Sequence, residues 1–176
     1  HVTGFDVKLN DKQDAVDLSV TIDEGPPVRV ATVNFEGFGG IPPDRLKTLK
    51  ETIPLKEGMA RDRQQVTAAH EAAVNELREH GFPYAKVGTE ENDGPDGKQA
   101  TITFKAETGP VAHFGEIEIA GNSTVSNRVI QRQLTFRPGD LYRRSVVQNS
   151  QRRLYRMELR SEEHTSELQS RGLISY

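Results

Sequence analysis

The first part of the chain alternates hydrophobic and polar residues with the period of a β-strand. Residues 2–9 and 15–23 are predicted as strands, with the alternation clearest in the second, and the polar residues 10–14 between them have the composition of a turn. The hydrophobic positions of the second segment are Val16, Leu18, Val20 and Ile22. Strict alternation is typical of a strand with one buried face, so the sequence predicts two short strands here.

Residues 28–109 begin with a strand that leads into two helices. Residues 28–35 alternate, with Ala31, Val33 and Phe35 predicted on one face and Val28, Val30, Thr32 and Asn34 on the other. Two prolines at positions 42 and 43 favour a helix start, and the next apolar residues, Leu46 and Leu49, are three positions apart. A longer helix is predicted over residues 61–80, where apolar residues recur every three or four positions.

Two strands complete this segment of the chain. Gly81 and Pro83 end the long helix, and strands are predicted over residues 84–89 and 100–107, with an acidic loop between them. The order strand, helix, helix, strand, strand predicts an α+β fold with two helices on one face of a three-stranded sheet. The last two strands are expected to form a hairpin, and the first is expected to have a parallel neighbour.

Residues 110–159 begin the same order again. A strand is predicted over residues 113–120, followed by a helix that carries Val129 and Ile130 and is capped by Ser123 or Thr124. After a Pro-Gly-Asp break, residues 141–159 have the pattern of a second helix. The two strands that would complete the order do not follow.

The order recurs at a spacing of about 84 residues. Gly25 corresponds to Gly109 and Gly37 to Gly121, and Leu18 and Val20 stand where Ile102 and Phe104 do. A period of this size indicates tandem modules. We therefore divide the chain into the C-terminal half of a module (residues 1–27), a complete module (28–109) and the N-terminal part of another (110–159).

The last residues have a different character. Residues 160–170 read RSEEHTSELQS, which resembles the in-frame translation of a common sequencing adapter, and residues 174–176 fit its next fixed stretch. We interpret residues 160–176 as adapter-derived and exclude them from the fold prediction. On this interpretation the natural part of the sequence ends near Leu159, in the middle of a repeat, and the absence of Met at position 1 indicates a cut N-terminus as well.

Composition narrows the class of protein further. Hydrophobic residues make up 34% of the chain and the net charge is -3, which fits small modules with much exposed surface and gives no general attraction to nucleic acid. There is no cysteine, so disulfides and cysteine-based zinc sites are excluded. No apolar run approaches the roughly 18 residues of a membrane-spanning helix.

The sequence offers no convincing catalytic or metal-binding motif. His70 and His80 are ten positions apart, which is not the spacing of a helical metal pair, so we interpret both as solvated surface residues. The acidic loop after residue 90 lacks the register of a calcium loop, and the glycines at positions 37, 39 and 40 lack the spacing of a phosphate loop. Ser145 and Ser150 have no evident His and acid partners. We expect no enzyme activity, no cofactor and no metal.

A group of arginines stands out in the predicted last helix. Its members are Arg143, Arg144, Arg152, Arg153 and Arg156. They are interpreted either as a solvated face or as a contact surface for anionic lipid headgroups or an acidic partner.

Several motifs together resemble polypeptide-transport-associated (POTRA) domains of outer-membrane assembly proteins of the BamA and TamA type. The residues that carry the resemblance are Ile117-Glu118-Ile119-Ala120-Gly121-Asn122, Val129-Ile130, Pro138-Gly139, Tyr142, Leu154-Tyr155 and the helix-to-strand junction Gly81-Phe82-Pro83-Tyr84-Ala85-Lys86-Val87. Similar segments occur in the same order in family members. The resemblance extends over residues 1 to about 159.

The resemblance implies a function in the assembly of membrane proteins. It implies a periplasmic location on an outer-membrane protein with a C-terminal β-barrel, unfolded barrel proteins as clients, and accessory subunits as further partners. Clients would bind by β-augmentation, in which an extended chain adds to a sheet edge. The implied edge strand comprises Tyr84, Ala85, Lys86, Val87, Gly88 and Thr89.

Two other functions share this type of module. One is a two-partner secretion transporter, in which the modules select a dedicated client. The other is a cell-division scaffold, which typically carries a single such domain, so the tandem repeat speaks against it.

Overall fold

The computed structural model describes the backbone of residues 2–9, 15–23, 25–122 and 125–171, and side chains as far as residue 157, except that of Leu9. The elements in chain order are β1 (Val2–Leu9), β2 (Val16–Ile22), β3 (Arg29–Glu36), α1 (Pro43–Thr52), α2 (Arg63–Glu79), β4 (Lys86–Asp93), β5 (Gln99–Glu107), α3 (Asn127–Gln131) and α4 (Arg144–Arg171). The predicted turn over residues 10–14 lies outside the described residues.

β1 and β2 form an antiparallel pair, as the alternation predicts. Phe5 pairs with Val20 and Val7 with Leu18, so these hydrophobic side chains share one face of the hairpin. That face is exposed: Phe5 is 75% and Leu18 63% accessible. The equivalent face of β5 is buried beneath helices, and no described element covers the face of β1 and β2 in this way.

β3, β5 and β4 form a second sheet in that order. β3 runs parallel to β5, and β4 runs antiparallel to β5, which confirms both predicted pairings. The chain between β3 and β5 passes through two helices and β4, which gives it the length that a parallel connection requires. β4 and β5 are joined by a tight turn closed by the N–H of Gly97, which donates to Gly94 O at 2.9 Å.

The core lies between this sheet and α1 and α2. Leu77 of α2 and Ile102 and Phe104 of β5 are fully buried, and Leu49 of α1 is nearly so. Burial of each such side chain contributes about 1.5–3 kcal/mol to stability. The fold is therefore α+β, with a mixed sheet and its helices on one face, as predicted.

β3 differs from the predicted alternation of faces. Val30 is 1% exposed, and Val33 and Phe35 also pack against the core, although Val30 and Val33 differ in parity. A register shift between Val30 and Thr32 explains this, because a bulge inserts one residue and turns the following side chains to the other face. The prediction that Val30 and Val33 lie on opposite faces was wrong for this reason.

The third part of the chain departs further from the prediction. Residues 114–120 form no strand, and the predicted strand is reduced to a single bridge between His113 and Leu141. A strand is defined by its partner, and the described part of the chain offers residues 113–120 no partner strand. α3 is a single short turn, and α4 begins at Arg144 and not at residue 141. The predicted caps, Ser123 and Thr124, lie outside the described residues.

The central unit and α4 contact each other directly. The N–H of Ser145 donates to Glu79 Oε2 at 3.0 Å, and Ser145 Oγ also donates to this carboxylate. The N–H of Ala112 donates to Gly81 O at 2.8 Å. The end of α2 thus holds both the connecting segment and the first turn of α4.

Candidate polypeptide-docking edge

β4 is an edge strand of the central sheet. Its described strand neighbour is β5, and the register runs from Lys86 opposite Glu107 to Asp93 opposite Ala100. The predicted edge, residues 84–89, is shifted relative to the strand that the structure contains. Tyr84 and Ala85 precede the strand, and the strand extends beyond Thr89 into the acidic segment that was predicted as a loop.

Tyr84 and Ala85 have different environments at this junction. Tyr84 is 78% exposed, whereas Ala85 is buried and belongs to the core. Lys86 begins the strand and is exposed, and Val87 packs partly against the core. The six predicted edge residues therefore comprise an exposed aromatic ring, a core residue and the first four residues of β4.

The hydrogen bonds of β4 determine which of its peptide groups face away from β5. The N–H of Gly94 donates to Gln99 O at 2.7 Å, so the pair after Asp93 and Ala100 is hydrogen-bonded. Hydrogen-bonded and non-hydrogen-bonded pairs alternate along an antiparallel ladder. The outward-facing peptide groups therefore belong to Val87, Thr89, Glu91 and Asp93.

The opposite edge of the sheet, at β3, is closed by the segment before α2. The N–H of Val30 donates to Met59 O at 2.8 Å, and Val30 O accepts from the N–H of Gly58 at 2.7 Å. The N–H of Val33 donates to the side chain of Glu57 at 3.4 Å. Because these backbone groups already have partners, an added strand cannot pair with β3 here. β4 is therefore the more accessible edge.

Ion pairs neutralise the acidic residues of β4. Arg61 contacts Asp93 Oδ1 at 2.7 Å and Glu91 Oε2 at 3.4 Å, and Lys105 contacts Glu90 Oε2 at 2.7 Å. The hydrogen bond that Glu90 accepts raises the pKa of Lys105. These contacts offset the repulsion between the like charges of the acidic segment, which pairs with β5 as far as Asp93.

The predicted arginine group is divided by the structure. Arg144 donates to Asn75 of α2 and so belongs to the contact between the central unit and α4. Arg143 precedes the helix and is exposed. Arg152, Arg153 and Arg156 are exposed on α4, and a turn of about 100° per residue places them on one side of the helix.

Two contacts of α2 were not predicted from the sequence, one with the β4 edge and one with α4. His70 Nε2 lies 2.8 Å from Val87 O, and Glu79 binds Ser145 of α4. His70 was interpreted only as a solvated surface residue. The signal for its role was its position beside the buried face of α2, next to Ala69.

Within the described residues, no group of His, Cys, Asp or Glu side chains is placed to hold a metal ion. Among the same residues, no helix is long and apolar enough to cross a membrane.

The POTRA family model, described as "Surface antigen variable number repeat", matches residues 28–109 and 112–164. The two matches together cover more than half of the chain. The chain therefore belongs to the POTRA family, and it contains this type of domain in tandem.

Two curated relatives are outer membrane protein assembly factors named BamA. The chain is 25% identical over 149 residues to BamA of Neisseria meningitidis serogroup B, covering 85% of this chain and 18% of that protein. It is 26% identical over 161 residues to BamA of Neorickettsia risticii, covering 88% of this chain and 21% of that protein. The chain thus spans about a fifth of the length of these relatives.

Solved structures share the fold. The structure of Haemophilus influenzae BamA POTRA3-5 matches with a TM-score of 0.58 at 21% identity, covering 89% of this chain and 61% of that one. BamA of Haemophilus ducreyi lacking POTRA domains 1-3 matches with a TM-score of 0.60 at 17% identity, covering 74% and 24%. At these identities the likeness concerns the fold alone.

Proposed function

We propose that this chain is the polypeptide-binding region of an outer-membrane β-barrel assembly factor, located on the periplasmic face of that membrane. Its family and its similarity to proteins named BamA support this proposal. In this function the clients are unfolded outer-membrane proteins, and accessory assembly subunits are further partners. A membrane-embedded β-barrel elsewhere in the full protein would anchor the region.

We also propose the division of the chain into modules that its repeat indicates. Residues 28–109 are one complete POTRA domain, residues 1–27 are the strand pair that ends a preceding domain, and residues 110–159 begin a following one. The exposed apolar face of β1 and β2 supports this division. Leu18 and Val20 correspond to Ile102 and Phe104, which two helices cover in the complete domain.

The proposed binding mode uses the open edge of β4. An extended client adds to β4 as a further strand and bonds to its outward-facing peptide groups. Each residue of any sequence offers one donor and one acceptor, so main-chain pairing accepts many different clients. The bonds that already occupy the β3 edge around Val30 and Val33 favour pairing at β4.

The arginine group is proposed as a second contact surface. Arg152, Arg153 and Arg156 are exposed together on α4 and present positive charge to anionic headgroups or to an acidic partner. Arg143, the remaining member of the predicted group, is exposed just before α4, and the same turn of about 100° per residue places it on the opposite side from Arg152. Arg144 is engaged with α2, so its contribution is to the domain contact.

A proline on β4 tests the edge-pairing function. Thr89→Pro removes an N–H that faces away from β5, so the bonds between β4 and β5 remain and the loss of stability stays below about 1.5 kcal/mol. The probe is a capped synthetic peptide of alternating Thr and Val with a Lys at each end. We expect Thr89→Pro to weaken its binding at least about tenfold, because the lost donor and the fixed proline ring both oppose pairing.

Thr89→Val is the matched control, because it keeps the N–H and favours a strand. Peptide binding is measured by titration calorimetry, and the fold of each variant by circular dichroism. Equal peptide affinity of folded Thr89→Pro and Thr89→Val would contradict edge pairing at β4. If Thr89→Pro fails to fold, Glu91→Pro, which also removes an outward-facing N–H, takes its place.

A further inference from the structure

We propose that His70 closes the first pairing position of the β4 edge and thereby restricts a client strand to the segment from Thr89 to Asp93. This inference rests on the proposed edge-pairing function and adds a residue that determines the register and length of pairing. The inference rests on one contact, in which a histidine of α2 lies against an outward-facing carbonyl of β4.

The hydrogen bond of His70 defines its donor. Its Nε2 lies 2.8 Å from Val87 O, and this bond is partly buried. A backbone carbonyl can only accept, so Nε2 must carry the hydrogen.

The carbonyl that His70 binds is one that a client would need. Val87 belongs to the outward-facing set derived from the bond between Gly94 and Gln99. A client residue opposite Val87 would donate its N–H to the same oxygen. This oxygen already accepts from the imidazole, so a client N–H either shares the oxygen with that bond or replaces it, and in both cases it gains less than at a free carbonyl.

The next outward-facing residues are in a different situation. Among the described residues, no hydrogen bond reaches the outward peptide groups of Thr89 or Glu91. Arg61 contacts the side chains of Glu91 and Asp93 and leaves their peptide groups for pairing. A client strand therefore gains full hydrogen bonds from Thr89 onwards.

α2 positions His70 for this role. Val66, Ala69, Ala73 and Leu77 form the buried face of the helix, and His70 stands at the border of that face above β4. Its side chain is half-buried, which limits its alternative orientations. The packing of α2 on the sheet thus fixes a donor at the start of the edge.

Two substitutions distinguish hydrogen-bond donation by His70 from a purely packing role of its side chain. His70→Leu keeps an apolar volume beside Ala69 but removes the donor, so the Val87 carbonyl becomes available. His70→Gln keeps an N–H donor of similar reach. The experiment adds the Thr-Val peptide with terminal Lys to the full chain and follows amide hydrogen exchange of β4 by NMR, together with peptide affinity.

In the unsubstituted chain we expect the peptide to protect the amides of Thr89 and Glu91 and to leave that of Val87 unprotected. In His70→Leu we expect protection to extend to Val87 and affinity to rise about fivefold, the effect of one added pairing position. His70→Gln is expected to restore the original pattern. Nitrogen-15 spectra of the imidazole are expected to show the hydrogen on Nε2.

Two other outcomes are distinguishable. If the peptide protects the amides of Thr89 and Glu91, and the amide of Val87 exchanges equally in all three chains, the role of His70 is overturned and edge pairing is not. Absence of protection along β4 in every chain would overturn edge pairing, and the role of His70 with it.

Discussion

At the scale of single residues, the repeat is most visible in the glycine backbone. Gly25 and Gly109 have φ of 66° and 67°, and Gly37 and Gly121 have φ of 80° and 81°. Positions 84 residues apart thus adopt the same left-handed conformation, which residues with a Cβ rarely adopt. At Gly37 a second constraint is added, because an added Cβ would lie 2.3 Å from Ala106 O of β5.

Substitution of Gly37 tests that second constraint. Gly37→Ala is expected to lower the free energy of unfolding by at least about 3 kcal/mol, since the methyl group must displace a strand backbone as well as accept a positive φ. Gly58→Ala is the matched control: Gly58 has φ of 84° and open space around its Cβ position. We expect Gly58→Ala to cost about 1–2 kcal/mol. Urea unfolding of both variants measures the difference, and equal losses would contradict the steric argument.

At the scale of elements, α2 organises the central unit. Its buried face covers the sheet, its His70 reaches the β4 edge, and its C-terminal residue Glu79 holds α4. The helix is capped by Asp62, which precedes Arg63 and whose side chain accepts a hydrogen bond from the N–H of Gln64 at 2.7 Å. This cap satisfies one of the unpaired donors of the first turn.

Removal of the cap tests how much the start of α2 contributes. Asp62→Ala is expected to lower the free energy of unfolding by about 1 kcal/mol, because it leaves the N–H of Gln64 without its protein acceptor. Asp62→Asn retains an acceptor at the same position and is expected to lower the free energy of unfolding by only a few tenths of about 1 kcal/mol. Thermal or urea unfolding of the full chain gives both values. A loss for Asp62→Asn as large as that for Asp62→Ala would show that charge, and not capping geometry, is responsible.

At the scale of the whole molecule, the contact between α2 and α4 sets how the central unit meets the next POTRA match. The carboxylate of Glu79 accepts from the backbone N–H and the hydroxyl of Ser145 in the first turn of α4. A carboxylate at this end of a helix is favourable because unpaired N–H groups and the helix dipole are positive there. Arg144 adds a bond to Asn75 from the same turn.

Loss of this carboxylate is expected to loosen the two units. In Glu79→Ala, nitrogen-15 relaxation should show separate rotational correlation times for residues 28–109 and for the first part of α4, whereas the unsubstituted chain should show a common one. Glu71→Ala, on an exposed position of the same helix, controls for loss of a charge. A common correlation time in Glu79→Ala would show that Gly81 and the connecting segment suffice to hold the units together.

The prediction from sequence succeeded where the information is local. The hydrophobic period gave the strands and helices of the central unit, and Gly81 and the paired prolines gave helix ends. It failed for the faces of β3, because the bulge between Val30 and Thr32 leaves no clear mark in the alternation. It also failed for residues 113–120, which have the pattern of a strand but no partner strand within the described part of the chain.

The sequence by itself determined the module, its repeat and its family, because periodicity, turn residues and motif order are properties of neighbouring residues. Only the tertiary structure decided which edge is open. Residues 57–61 close the β3 edge, and His70 reaches the outward-facing carbonyl of Val87. Both contacts join groups that are distant in the chain. Such contacts depend on how helices pack on the sheet, and a one-dimensional pattern does not specify that packing.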